Sequence, residues 1–190
     1  MRYLAPDRTA KIFNALTKWL TARGVRVRVL TNSAATNDVI AAQAGYASTR
    51  KKLIKAGLEL YELRPDSDMK REWSLAAGRS RAALHSKILV FDRESVFIGS
   101  PNLDPRSRVL NTEIGVIIDS AEIAKQAADF IEEGIGPGSA YRVTLDKNDK
   151  LLWTAQNDGA AVTFHVDPET DLWQRFLIDF IGVLPIEEHL

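Results

Sequence analysis

Apolar residues recur at helical spacing through Ile12, Leu16, Trp19 and Leu20, in a stretch that opens on Asp7 and meets Gly24. That pattern predicts a helix over residues 7–23 and a strand over 25–30. The alternation repeats, with a second helix over 37–56, opened by Asn37 or Asp38 and stopped by Gly57, and a second strand over 58–63. Residues 64–83 are rich in Pro, Ser, Gly and charge and predict a loop leading into the next strand, a position from which loops often shape a substrate entrance. The β-prone run over 84–91, the polar break Asp92-Arg93-Glu94-Ser95 and the short apolar run 96–98 predict a hairpin. Residues 112–118 alternate as another strand, and 120–133 predict a helix stopped by Gly134, Gly136 and Pro137. Helices alternating with strands predict an α/β fold with a layered sheet.

Beyond that boundary the pattern changes. Short β-prone runs over 141–145, 151–155 and 160–166, separated by polar turns, predict a small β-meander. Pro168 opens a final helix, and the spacing of Leu172, Trp173, Phe176, Leu177 and Phe180 predicts that it packs on the main sheet. The expected organisation is a main unit over residues 1–138 and a C-terminal meander plus helix over 139–190 packed on it.

Composition adds little except through charge. The 190 residues are 45% apolar and 26% charged, which fits a globular domain with a substantial core, and the chain has no cysteine to form disulfides or thiolate metal sites. No apolar run is long enough to span a bilayer, so any membrane contact is expected to be peripheral. The net charge of zero conceals an asymmetry: residues 1–110 carry 20 Lys and Arg against 10 Asp and Glu, and residues 111–190 carry 5 against 15. Clusters at Arg23/Arg26/Arg28, Arg50/Lys51/Lys52/Lys55 and Lys70/Arg71/Arg79/Arg81 suit either an anionic surface of phospholipid or nucleic acid, or plain solvated helix faces.

The basic half also holds the chemistry. His85 and Lys87 lie two apart in the predicted strand and so share a face, the hairpin returns the chain toward them, and Gly99-Ser100 leaves the second strand with Asn102 two residues on. An imidazole, a fixed cation and small polar donors around one phosphate would make a metal-free phosphodiester site. Glu113, in the following strand, is a carboxylate able to fix the tautomer of a catalytic histidine. The pattern His85-x-Lys87-x4-Asp92-x6-Gly99-Ser100-x-Asn102, with Glu113 downstream, resembles the HKD signature of the phospholipase D superfamily.

The resemblance covers essentially the whole chain. Residues 25–33, Ala44-Gly45-Tyr46, residues 58–63, Asn102-Leu103-Asp104-Pro105-Arg106-Ser107, Asn111-Thr112-Glu113-Ile114-Gly115 and Leu184-Pro185-Ile186-Glu187 are similar to the C-terminal half of bacterial cardiolipin synthase-like phosphatidyltransferases. Pro101 and Gln43 depart from the family pattern, which has an aromatic residue or methionine at the first position and histidine at the second.

The resemblance implies a phospholipase D-like layered sheet flanked by helices, and a phosphohistidine mechanism without metal or other cofactor. It gives Lys87, Ser100 and Asn102 the substrate phosphate, Glu113 the orientation of His85, and Asp92 and Gly99 structural parts. In that family two such segments face each other, one histidine attacking phosphorus and the other serving as acid and base. A single copy is half a site, so a second HKD half is expected from a preceding region or from a homodimer mate. The strand-like Arg2-Tyr3-Leu4-Ala5-Pro6 and the family-like ending favour a C-terminal half, in which His85 takes the acid/base part.

Three function classes stay open: transfer or hydrolysis of phosphatidylglycerol-like phospholipid at the cytoplasmic face of the inner membrane, a homodimeric nuclease, and an inactive partner-binding fragment. His165 and His189 have no partners at ligand spacing, Trp153 and Trp173 read as core or interface residues, and Thr31-Asn32-Ser33 suits a binding loop or a simple turn equally.

Overall fold

The structure, a computed structural model, describes residues 7–37, 40–67, 84–102, 111–157 and 159–183. The fold is mixed α/β, with two sheets flanked by helices. In chain order the elements are α1 (Asp7–Thr21), β1 (Arg28–Asn32), α2 (Ile40–Lys55), β2 (Glu59–Leu63), β3 (Lys87–Phe91), β4 (Ser95–Gly99), β5 (Gly115–Asp119), α3 (Ala121–Gly134), β6 (Ala140–Leu145), β7 (Leu151–Asn157), β8 (Ala160–Phe164) and α4 (Leu172–Val183). Every described element matches a predicted one in type. β1 starts three residues later than its apolar run, at Arg28, and so do β3, at Lys87, and β5, at Gly115, which leaves His85 and Glu113 just ahead of the strands predicted to carry them.

The larger sheet runs β1-β2-β6-β7-β8 and the smaller runs β3-β4-β5. β1 and β2 are parallel, as an αβ repeat requires, and the other pairs are antiparallel. The main core lies on the larger sheet, where Leu53 and Leu58 meet Leu60, Tyr141, Val143, Trp153 and Ala155. On the smaller sheet the fully buried Val96 belongs to a contact with α3, which buries Ala124 and Ala128. Ser120 starts that helix: its hydroxyl accepts from the Ile123 N–H at 3.4 Å.

The C-terminal meander continues the larger sheet edge to edge. β6 pairs with β2 from Leu60↔Val143 to Leu63↔Ala140, and Trp153 of β7 is 2% exposed in the main core. The final helix corrects another expectation. Its Ile178 and Ile181 pack with Ala34, Ala44 and Ala47, against α2 and the β1–α2 turn, while Trp173, Phe176 and Phe180 stack along an exposed face.

In the two described basic clusters, Arg23, Arg26, Arg28, Arg50 and Lys55 have partners within the fold. Arg50 is not a surface cation: it is buried, with Nε 2.9 Å from Oε1 of Glu62 and Nη2 2.8 Å from Oδ1 of Asp167. Glu62 also accepts from the Tyr46 hydroxyl at 2.8 Å and the Trp153 indole at 2.9 Å, and its burial pushes its carboxyl above the ordinary value despite these partners. Lys55 pairs with Asp149, Arg26 with Glu59, and Arg28 bidentately with Glu132, while Arg23 stacks over the Trp19 ring. The cluster Lys70/Arg71/Arg79/Arg81 and the predicted entrance loop, from residue 68 on, lie outside the described residues.

Candidate active site

The β3–β4 hairpin turns where the polar break predicts. Asp92 and Arg93 both adopt the left-handed region, at φ 51° and 60°, and the Glu94 N–H donates to the Phe91 carbonyl at 2.9 Å. Such a pair of residues matches the twist of the flanking strands. Asp92 therefore serves the hairpin through its backbone conformation, and no hydrogen bond of its carboxylate to a nearby amide is found among the described residues.

Beyond the turn, the ladder sets Lys87 opposite Gly99 and Gly99 opposite Gly115. The two glycines leave a gap beside Lys87, and the Phe97 ring fills much of it. A Cβ added at Gly115 would lie 2.5 Å from Phe97 Cζ, and one at Gly99 would lie 2.7 Å from the same atom and 2.8 Å from the Ile114 carbonyl oxygen. At Gly99 the backbone approach requires glycine, whereas at Gly115 the overlap is with the Phe97 ring alone.

One residue past the ladder, Ser100 takes over from the strand. Its N–H donates to the Ile114 carbonyl at 2.8 Å, and its hydroxyl oxygen accepts from the Ile114 N–H at 3.0 Å. The same hydroxyl donates to Glu113 in a short hydrogen bond, and the Asn111 amide reaches the other carboxylate oxygen at 3.4 Å. The structure thus brings Ser100 and Glu113 together at the end of the small sheet. It does not join Glu113 to His85 by a hydrogen bond.

His85 and Ser86 are exposed and lie just before β3, while Lys87, its first residue, is half-buried. Asn102 is exposed, three residues past the end of β4. The side chain of Asn32, at the end of β1, donates to the Leu84 carbonyl at 2.9 Å and accepts the Leu84 N–H at 2.7 Å. The Thr31-Asn32-Ser33 pattern suits binding and turn formation equally and carries no signal for this long-range contact.

Gln43 is buried and accepts from the Asn37 amide at 3.1 Å, while Pro101 is half-buried beside Ser100. His165 lines a separate cleft of about 280 Å³ with Lys51, Lys150, Trp153, Asp167 and Arg175. Among the described residues no group of three His, Cys, Asp or Glu side chains could hold a metal, and no helix is long and apolar enough to cross a membrane. His189 and the stretches 103–107 and 184–187 lie outside the described residues.

The chain is similar in sequence to known proteins. The family described as "Cardiolipin synthase, PLD-like domain" matches residues 1–134. Cardiolipin synthase C of Escherichia coli (strain K12) is 39% identical over 88% of this chain and 36% of its own length. An uncharacterized protein of Helicobacter pylori (strain J99) is 28% identical over 88% of this chain and 32% of its own length, and a cardiolipin synthase of Geobacillus sp. (strain WCH70) is 31% identical over 69% and 22%. The chain spans about a third of the length of the first two of these relatives. This chain belongs to the phospholipase D-like domain family of the cardiolipin synthases.

Proposed function

We propose that the chain carries one HKD half of a phosphatidyl-transfer site that acts on phosphatidylglycerol-like lipid in cardiolipin synthesis. The observation that carries this reading is the convergence of Lys87, the Gly99–Gly115 gap, Ser100 and Glu113 at one end of the small sheet, with His85 two residues before Lys87. The names of the relatives supply the product, cardiolipin.

In the proposed reaction the imidazole nitrogen of one of two facing histidines attacks the lipid phosphorus as the bond to the leaving glycerol oxygen breaks, and the second histidine protonates that oxygen. The phosphohistidine is then opened by an acceptor alcohol, whose proton passes to the same second histidine. In a C-terminal half His85 takes the acid/base part, and in a symmetric pair it can take either. Lys87 and Asn102 bind the non-bridging oxygens, where charge grows in the transition state, and Ser100 adds a hydrogen bond. Glu113 orients His85 through a bond that forms as the site is completed, because its carboxylate is occupied by Ser100 and Asn111 here. The second half comes from another region of a longer protein or from a second copy, and the assembly works peripherally at the cytoplasmic face of the inner membrane.

The test is incubation of the intact gene product with phosphatidylglycerol vesicles and, separately, with plasmid DNA, beside a His85→Ala variant. Cardiolipin appearing with the parent and not with the variant supports the proposal. Lipid turnover that persists in the variant, or DNA cleavage without lipid turnover, would overturn it.

A further inference from the structure

We infer that Asn32 is a positioning residue for His85. The three residues 84–86 precede the β3–β4 ladder, which begins at Lys87, and among the described residues their backbone takes its hydrogen bonds from Asn32 alone. An asparagine side chain carries the donor and acceptor of a peptide group, so its two bonds to Leu84 reproduce the pairing that a further strand residue would make. The imidazole follows one residue later.

Asn32 is itself well anchored. It closes β1, where it pairs with the fully buried Leu63 of β2. The next turn is held from inside: Ser33 and Thr36 are buried, their hydroxyls lie 3.2 Å apart, and the Thr36 and Asn37 N–H groups both donate to the Ser33 carbonyl at 3.1 Å. The larger sheet thus fixes Asn32, Asn32 fixes Leu84, and Leu84 sets the path of the chain into His85. The side chain must be an amide of this length. Alanine loses both bonds, aspartate keeps an acceptor but as a carboxylate cannot donate to the Leu84 carbonyl, and glutamine is one methylene too long.

The inference rests on the phosphatidyl-transfer reading, so its test has one readout that needs no turnover. Hydrogen exchange followed by mass spectrometry on the intact gene product should show residues 84–87 exchanging at least about tenfold faster in Asn32→Ala than in the parent, with the core strands β2 and β6 unchanged. Kinetics on phosphatidylglycerol vesicles should show kcat reduced roughly ten- to a hundredfold and KM within about twofold, as expected for a misplaced reacting group.

Asn32→Asp, nearly the same shape, covers the case in which the alanine variant does not fold. As a carboxylate it keeps the acceptor for the Leu84 N–H and lacks the donor to the Leu84 carbonyl, so it should show the same faster exchange over residues 84–87 and the same direction of kcat loss, to a smaller extent. Unchanged exchange over residues 84–87, unchanged kcat, or a KM effect alone would overturn the role of Asn32. A parent that turns over no lipid would overturn the catalytic reading instead, while hydrogen exchange would still decide whether the clasp exists.

Discussion

Arg50 reaches Glu62 inside the core, its guanidinium Nε 2.9 Å from the carboxylate Oε1, with the two side chains 2% and 0% exposed. Removing one partner leaves the other charge buried, a loss that costs about 3–5 kcal/mol in comparable pairs. Glu62→Leu and Arg50→Met should each lower the unfolding free energy obtained from urea melts by an amount in that range. The double variant should lose clearly less than the sum of the two, because it strands no charge on that side of the pair.

Phe97 and Gly115 give a prediction of packing. Gly115→Ala should destabilise by about 1–3 kcal/mol through overlap with the Phe97 ring, and much of that loss should vanish in a Phe97→Leu background. Gly99→Ala should not be rescued in the same way, because its added Cβ meets the Ile114 carbonyl as well as the ring. Denaturant midpoints of the three single and two paired variants check this.

Acid should loosen the tie between the two sheets. The hydrogen bonds from Arg28 hold the Glu132 carboxyl below its ordinary value, and Arg93 adds a pair at 3.0 Å. A carboxyl whose folded value is depressed contributes stability that is present above its unfolded value, about 4.3, and is lost as pH falls through the folded value. Arg28→Met should therefore cost up to about 1 kcal/mol at pH 7, since the pair is partly exposed. The gap from the parent should close below about pH 4 in thermal melts taken across the range.

Ser100→Ala should lower kcat on phosphatidylglycerol vesicles by about 10²-fold, the typical loss for one hydrogen bond to a developing oxyanion, whereas Ser100→Thr should keep most of it. Initial rates with the intact gene product measure both. Equal loss in the two variants would assign the effect to the Ser100–Ile114 backbone join and not to the hydroxyl's chemistry.

The hairpin was legible because its signals are local: a polar break between two apolar runs, with small polar residues on the return. The meander strands were legible for the same reason. Their pairing with β2 was not, since it depends on a register between residues about 80 apart and no local pattern specifies it. Arg50 was read with its basic neighbours as surface, although Glu62 shares strand parity with the core residue Leu60, and a carboxylate on that face was the available hint of a buried cation. In α4 both faces are apolar, so periodicity could not tell the packed Ile178 from the exposed Trp173. The site residues were visible through their spacing, but the Asn32–Leu84 clasp, which links positions 52 residues apart, was not.

The join of β6 to β2 makes the C-terminal meander part of the main sheet. The family model matches residues 1–134, yet a chain cut there would leave the edge of β2 bare, and Leu60 and Leu63 would lose the strand beside them. The Glu62 carboxylate would lose Trp153, and Arg50 would lose Asp167. The last third of the described chain is a wall of the same building, although the family model stops short of it.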